Sequence, residues 1–298
     1  MVFAANRKQW VALTSVLAAV VLTLVKIVVG LSTNSLGILA EAAHSGLDLV
    51  AAIVTLFAVC FSDRPADSEH PYGHGKVENL SALFETILLL ATCVWIVYEA
   101  VERLSAKAVK VDPSAWAFVV MFFSIVVDFG RSRALAKAAK DYNSQALEAD
   151  ALHFSTDIWS SMVVILGLGG VLLGQRWTEH AVTLAKADAV AALGVAAIVI
   201  VVSFKLGRRT LQGLLDTAPV GLSEQIKPAV EAMPGVVDCH HIRVRTAGPS
   251  LFVDVHVLID GAKSLNETHA LTDQIEECIQ QIAPNADVTV HPEPVNLA

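Results

Sequence analysis

Charge is scarce in this sequence. Only 17% of its 298 residues are Asp, Glu, Lys or Arg, against roughly 25% in an ordinary soluble domain. Hydrophobic residues reach 54% and the mean hydropathy is +0.58, which argues against both a water-soluble enzyme and a disordered chain. A basic excess is missing too: 21 Lys/Arg face 29 Asp/Glu, for a net charge of −8 and a pI near 5.6. A nucleic-acid binder would show the opposite balance. The four cysteines (Cys60, Cys93, Cys239 and Cys278) lie far apart and form no CxxC pair, so neither a disulfide framework nor a cysteine zinc knuckle is expected. Low-complexity segments and internal repeats are lacking, as are a GxxxxGK[ST] phosphate loop and an HExxH metallopeptidase motif.

Long apolar runs are what the chain has instead. A helix needs about 20 mainly apolar residues to cross the hydrocarbon core. Six runs approach this: residues 11–30, 36–61, 80–101, 115–130, 151–174 and 181–204, the fourth being the shortest. The first is read as a span, not a cleaved signal, because it is long, contains Lys26 and lacks a small-residue cleavage site before polar sequence. Six spans place both termini on one side. Eleven Lys/Arg flank that side (Arg7, Lys8, Arg64, Lys76, Arg131, Arg133, Lys137, Lys140, Lys205, Arg208, Arg209) and four the other (Arg103, Lys107, Lys110, Arg176). The positive-inside bias therefore puts both termini in the cytoplasm.

Beyond residue 208 the composition changes. Five Lys/Arg meet twelve Asp/Glu there, a net of −7, whereas the first 208 residues sum to −1. Residues 1–208 are thus read as an all-α transmembrane bundle of six helices, and 209–298 as a separate α+β domain. Within the latter, 223–233 has a helical pattern stopped by Pro234-Gly235. Residues 236–246 alternate, with His240, Ile242 and Val244 expected on one strand face and His241, Arg243 and Arg245 on the other. Gly248-Pro249 marks a turn, and Leu251, Val253, Val255, Val257 and Ile259 line one face of a second strand. Leu271, Ile275, Cys278, Ile279 and Ile282 recur at helical period before a last strand at 287–291. The expected order is α-β-β-α-β, ferredoxin-like.

Ionisable residues inside apolar spans are costly and usually functional. His44 and Asp48 stand i,i+4 in the second span, with Glu41 a turn earlier; His153 and Asp157 repeat the spacing in the fifth, with Asp150 a turn earlier. Residues four apart share a helix face. If the two helices pack together, two imidazoles and two carboxylates converge, a closed shell suited to tetrahedral Zn²⁺. Bundle-stabilising hydrogen bonds or a proton relay are the alternative. Glu85, Asp128 and Asp188 either line an aqueous path or pair within the bundle, for example with Lys26 or Lys186. Glu99, Glu102 and Arg103 sit at a span end, where snorkelling suffices. Between spans two and three, Asp67, His70 and His74 have chelating spacing, although such residues also serve as turn formers. The tail holds five of the ten histidines: His240, His241, His256, His269 and His291. With Glu293 close by, they allow a metal cluster on one sheet.

Together these features resemble the cation diffusion facilitator family, in particular its bacterial dimeric zinc/proton antiporters. The pieces that carry the resemblance are Asn34-Ser-Leu-Gly, Glu41-Ala-Ala-His44-Ser-Gly-Leu-Asp48 and His70-Pro-Tyr-Gly-His74-Gly-Lys-Val-Glu, with the second His-x3-Asp pair and the His-bearing tail. The resemblance covers essentially the whole chain. It implies a transport site at His44, Asp48, His153 and Asp157, where many bacterial relatives have Asp in place of His44. It implies a loop site at Asp67, His70 and His74, and a two-metal cytoplasmic site at His240, His256, His269, His291 and Glu293. Relatives carry Asp at the last of these and an acidic residue at the position of His241. It further implies a hinge pair, Lys76 with Asp216, and a homodimer in the cytoplasmic (inner) membrane with its tails face to face.

The expected function is efflux of Zn²⁺ by proton antiport with alternating access, Zn²⁺ being both cargo and regulatory ion. Metal binds carboxylate and neutral imidazole, so binding releases protons and their return ejects metal. Export of Fe²⁺, Mn²⁺ or Cd²⁺ by the same mechanism is the near alternative, and a membrane metal sensor that moves nothing the distant one. Neither an enzymatic activity nor an organic cofactor is expected.

Overall fold

The computed structural model describes residues 2–34, 36–105, 115–174, 181–284 and 286–295. They form two compact units, Met1–Arg64 with Val77–Thr210, and Pro65–Lys76 with Leu211–Ala298. The helices of the first unit are α1 (Val2–Ser32), α2 (Leu36–Ser62), α3 (Lys76–Ser105), α4 (Ala115–Tyr142), α5 (Gln145–Gly174) and α6 (Ala181–Leu214). Each apolar run of the sequence lies within one helix; α4 runs past its run into a basic stretch that includes Arg131, Arg133, Lys137 and Lys140. Among the described residues, Arg7–Ser32, Glu41–Ser62 and Lys76–Glu102 are long and apolar enough to cross a membrane.

Packing in this unit is inverted relative to a soluble protein. Its interior is lined by small residues such as Ala12, Ala19, Ala42, Ala51, Ala52, Ala139 and Ala146, while Trp10, Leu17, Leu24, Val28, Phe57, Trp95 and Phe122 are exposed. Small residues let helix backbones approach in lipid, where apolar side chains gain nothing by turning inward. Helices α1, α2, α4 and α5 pack on one another, α1 chiefly with α2 and α4 with α5. At Gly207 of α6 a Cβ would sit 3.0 Å from Thr86 Cγ2 of α3, a close approach that glycine permits.

A buried ion-pair network gathers one end of the helices. Glu78, fully buried, accepts from Ser62 Oγ at 2.8 Å and also from Lys8 Nζ and Ser144 Oγ. Lys8 Nζ reaches Asp63 at 2.9 Å. The start of α3 is thereby tied to α1, to the end of α2 and to the turn before α5.

The second unit holds α7 (Leu222–Glu231), β1 (Val236–Ala247), β2 (Ser250–Asp260), α8 (Leu265–Ile282) and β3 (Ala286–Val295). The sheet order is β1-β2-β3, with β1 antiparallel and β3 parallel to β2. A parallel pair needs a long crossover, which α8 supplies. Ser264 and Glu267 start that helix with a reciprocal capping box. Ile226, Val230, Val253, Val255, Val257, Ile275 and Ile279 fill the core.

The alternation expected for 236–246 breaks inside the strand. Cys239 and Val244, five positions apart, are both buried in the core. Pairing steps from His240↔His256 to Arg243↔Asp254, so β1 advances three residues while β2 advances two. The additional residue is a β-bulge. His241 sits in it with φ 48°, a left-handed conformation uncommon outside Gly and Asn. The core's demand for both Cys239 and Val244 sets the bulge, and period-two reading cannot register it.

The 65–76 segment belongs to this unit. Tyr72 meets Phe252 edge-on at 5.3 Å, and the Arg245 guanidinium lies 3.8 Å over the Tyr72 ring. Gly75 runs against the backbone of Ala247 and Gly248, where a Cβ would collide with the Ala247 carbonyl. Only glycine permits that approach.

Candidate metal centres

In the first unit, α2 and α5 bring the two His-x3-Asp pairs together. His153 Nε2 is 3.1 Å from Asp48 Oδ1 and 3.6 Å from Asp157 Oδ2. His44 Nε2 is 3.7 Å from Asp157 Oδ1 and 3.9 Å from Asp48 Oδ1. Each imidazole thus faces both carboxylates: donor atoms of His44, Asp48 and Asp157 all lie within 4.8 Å of one another, and His153 joins them through the two carboxylates. Asp48 and Asp157 are 12% and 13% exposed at the side chain, and His153 only 5%. Two anionic carboxylates at this depth are costly without a cation, and the donor set suits a four-coordinate divalent ion.

A second group lies in the 65–76 segment. Asp67 Oδ1 is 3.3 Å from His70 Nδ1, Asp67 Oδ2 is 3.3 Å from His74 Nε2, and the two rings stand 4.5 Å apart. Backbone N–H groups of His70 and Glu69 donate to Asp67 at 2.7 and 3.0 Å. The His70 amide foremost holds the Asp67 carboxyl below the usual carboxylate range.

The third group covers one part of the tail sheet. His240 and His256 pair across β1 and β2, and His256 pairs with His291 across β2 and β3. The His256 and His291 rings are 4.7 Å apart. Glu293 Oε1 lies 2.8 Å from His256 Nδ1, and its Oε2 lies 3.4 Å from His240 Nε2. The hydrogen bond with His256 keeps Glu293 below its ordinary pKa, so it stays an anionic donor. Because of the bulge, His241 comes to the same face, its ring 4.9 Å from His240 and 5.2 Å from His256. This corrects its expected place on the opposite face. Two groups of donors result, His240/His241/His256 and His256/His291/Glu293, sharing His256. His269 is not brought to them; it lies on α8, 76% exposed, 3.7 Å from Asp273. Cys239 is no donor either, since burial raises its thiol to about 11 and holds it in the core.

The remaining predicted residues divide between the readings. Lys26 pairs with Glu41 at 3.3 Å and Ser45 at 2.7 Å, and Asp128 with Arg131 at 2.9 Å, so these are internal pairs. Glu85 faces His153. The side chains of Asp188, Lys186, Glu99 and Arg103 lie outside the described residues. Lys76 and Asp216 form an ion pair of 2.9 Å, with side chains 39% and 42% exposed.

Two family models match the chain, one described as the cation efflux transmembrane domain over residues 12–215 and the other as the cation efflux protein cytoplasmic domain over 221–295. The chain belongs to the cation diffusion facilitator family. It is similar to the cation-efflux pump FieF of Yersinia enterocolitica, 31% identical over 95% of this chain and 91% of that protein. The FieF pump of Yersinia pestis is 31% identical over 97% and 94% of the two chains. Among solved structures, the metal-bound C-terminal domain of the CzcD transporter from Thermotoga maritima matches 26% of this chain and 94% of its own, at 28% identity and a TM-score of 0.25. The protein is accordingly an integral membrane cation-efflux transporter, in a family of transporters and not of enzymes.

One buried carboxylate in this cation diffusion facilitator, Glu78, was not singled out in the sequence, whereas Glu85 was expected either on an aqueous path or in a pair within the bundle, and it faces His153 and Thr55. Glu78 and Glu85 stand seven apart in α3, two turns on one helix face. That spacing was the available signal.

Proposed function

We propose that this protein exports Zn²⁺ from the cytoplasm in exchange for protons, through a site formed by His44, Asp48, His153 and Asp157. The observation that carries this reading is the convergence of two i,i+4 His/Asp pairs from α2 and α5 within a transmembrane domain. Mixed imidazole and carboxylate donors favour a transition metal over Mg²⁺ or Ca²⁺. Cation entry displaces protons from the imidazoles, and reprotonation on the proton-rich side releases the cation. Every donor is a side chain, so α2 and α5 can rock the site from one face to the other without breaking backbone hydrogen bonds. In this reading six helices cross the inner membrane within residues 1–208, and residues 209–298 face the cytoplasm.

The loop group, Asp67, His70 and His74, and the tail group, His240, His256, His291 and Glu293 joined by His241, bind regulatory Zn²⁺. His269 lies apart from them within one chain. In a homodimer with facing tails, a net charge of −7 on each repels the other, and bound Zn²⁺ offsets it. Zinc in the cytoplasm thereby compacts the tails and favours export, with Lys76 and Asp216 at the hinge.

The test is flux into proteoliposomes under an imposed pH gradient, comparing Zn²⁺, Fe²⁺, Mn²⁺ and Cd²⁺. Zn²⁺ movement that collapses with the proton gradient is the expected result. Zinc binding without movement would instead establish a sensor.

A further inference from the structure

The imidazole of His153 has two sides. Its Nε2 faces Asp48 and Asp157 in the cluster. Its Nδ1 is buried and has no hydrogen-bond partner among the described residues. The atom nearest in chemistry is Oε2 of Glu85, 3.7 Å away, itself buried and also without a hydrogen-bond partner. The other oxygen of Glu85 accepts from Thr55 Oγ1 at 3.2 Å, and Thr55 Oγ1 in turn stands 3.5 Å from Ser81 Oγ. Glu85 is wholly inaccessible, and it is carried by α3, a third helix beside α2 and α5.

An unpaired buried carboxylate oxygen and an unpaired buried ring nitrogen facing each other satisfy one another with a movement of less than an ångström, to the distance of an ordinary N–H···O bond. We infer that Glu85 is a positioning residue: it accepts Nδ1–H of His153, fixes that tautomer and leaves the Nε2 lone pair to the metal. This rests on the transport site proposed above. Imidazole ligands regularly donate their second N–H to a carboxylate, which orients the ring and raises its basicity. Packing alone does not explain Glu85. A glutamate buried in an apolar helix is costly, and an apolar or amide side chain would fill the same space without that cost. Asp150, a turn before His153, has an unpartnered oxygen too, but the carboxylate that faces Nδ1, at 3.7 Å, is that of Glu85.

The zinc dependence of flux in proteoliposomes tests this, with Glu85→Leu, Glu85→Gln and Thr55→Val beside the unmodified protein. A second measurement on the same proteins is the nitrogen-15 NMR of labelled histidine in the full chain with Zn²⁺, His153 being identified by its loss in His153→Asn. Glu85→Leu is expected to raise the zinc concentration for half-maximal flux by roughly 10–100-fold, with the maximum changed by less than about threefold. Glu85→Gln keeps an oxygen that accepts Nδ1–H, so it should recover most of the affinity. Thr55→Val, which frees the glutamate, should fall between them. The Nδ1–H tautomer should be seen in the unmodified and Gln proteins and be lost in Glu85→Leu. An unchanged half-maximal concentration in Glu85→Leu, or equal loss of maximal flux in the Leu and Gln variants without an affinity change, would overturn the inference. Absence of any saturable zinc flux in the unmodified protein would sink the export reading instead, and the tautomer comparison would still decide Glu85.

Discussion

The membrane cluster and the tail cluster are built from the same side chains in opposite surroundings. His153 and Asp157 are 5% and 13% exposed, whereas His256, Glu293 and His291 are 23%, 34% and 62% exposed. On helices α2 and α5, i,i+4 spacing puts each His and Asp on one face, and helix packing brings the two pairs together. On the sheet, cross-strand neighbours do the same, and a bulge adds His241. The lesson lies in desolvation. Buried carboxylates are costly to leave uncompensated, so a cation or protons must neutralise them. The tail donors are more exposed, so leaving them uncompensated costs less.

The contrast breaks most sharply at Asp157. Replacing it with Ala removes one of two carboxylate charges and one of the four donors from a largely buried group. We expect Asp157→Ala to abolish zinc flux, at least about 100-fold, in a protein that still inserts and melts normally. Near-normal flux in reconstituted vesicles would remove the site from α2 and α5.

How much of this was legible in the sequence follows from the same contrast. The helical period is rigid, so His44-x3-Asp48 and His153-x3-Asp157 could be read as one site before any fold was known. So could the tail's element order, whose helices and strands fall where the period and the Pro234-Gly235 and Gly248-Pro249 breaks place them. The bulge could not, because it arises from a conflict between Cys239 and Val244 over the core, and it moved His241 across the sheet. Nor could the seating of the 65–76 segment on the tail. That depends on Gly75 meeting the Ala247 backbone and on Tyr72 stacking with Arg245, contacts far apart in the chain with no period to announce them.

Tail variants should behave differently from membrane ones. His256 belongs to both donor groups on the sheet and His241 to one. His256→Ala is expected to weaken zinc binding by the tail about 10–100-fold, and His241→Ser by only a few-fold. Calorimetric titration of the full chain carrying Asp157→Ala, with His70→Ala added to remove the loop group, isolates these sites. If His241→Ser costs as much as His256→Ala, then the two groups act as one. Flux at saturating zinc should fall only partly in either variant, since the membrane donors are untouched.

A smaller effect is expected at His44, the most exposed of the membrane donors at 39%. Exchange of its imidazole for an anionic oxygen donor in His44→Asp should preserve transport while moving the Zn²⁺ to Cd²⁺ flux ratio several-fold toward cadmium. An unchanged ratio would mean that the other three donors set selectivity. Complete loss of flux would mean that the imidazole is required for release.

The smallest change should come from the Lys76–Asp216 pair. Its 2.9 Å separation looks strong, but both partners are more than a third exposed, and exposed pairs are worth at most about 1 kcal/mol. Had the pair been buried, loss of one partner would have cost about 3–5 kcal/mol. Asp216 also holds a left-handed backbone, φ 56°, so Lys76→Ala is the cleaner probe, leaving that strained residue in place. We expect Lys76→Ala to lower stability by no more than about 1 kcal/mol, and the difference from the unmodified protein to shrink further between about 0.05 and 0.5 M salt as the pair is screened. Denaturant unfolding of the detergent-solubilised chain at the two salt concentrations reads both quantities. A loss well above that limit, insensitive to salt, would mean that the pair is covered in solution, as a second copy of the chain would do.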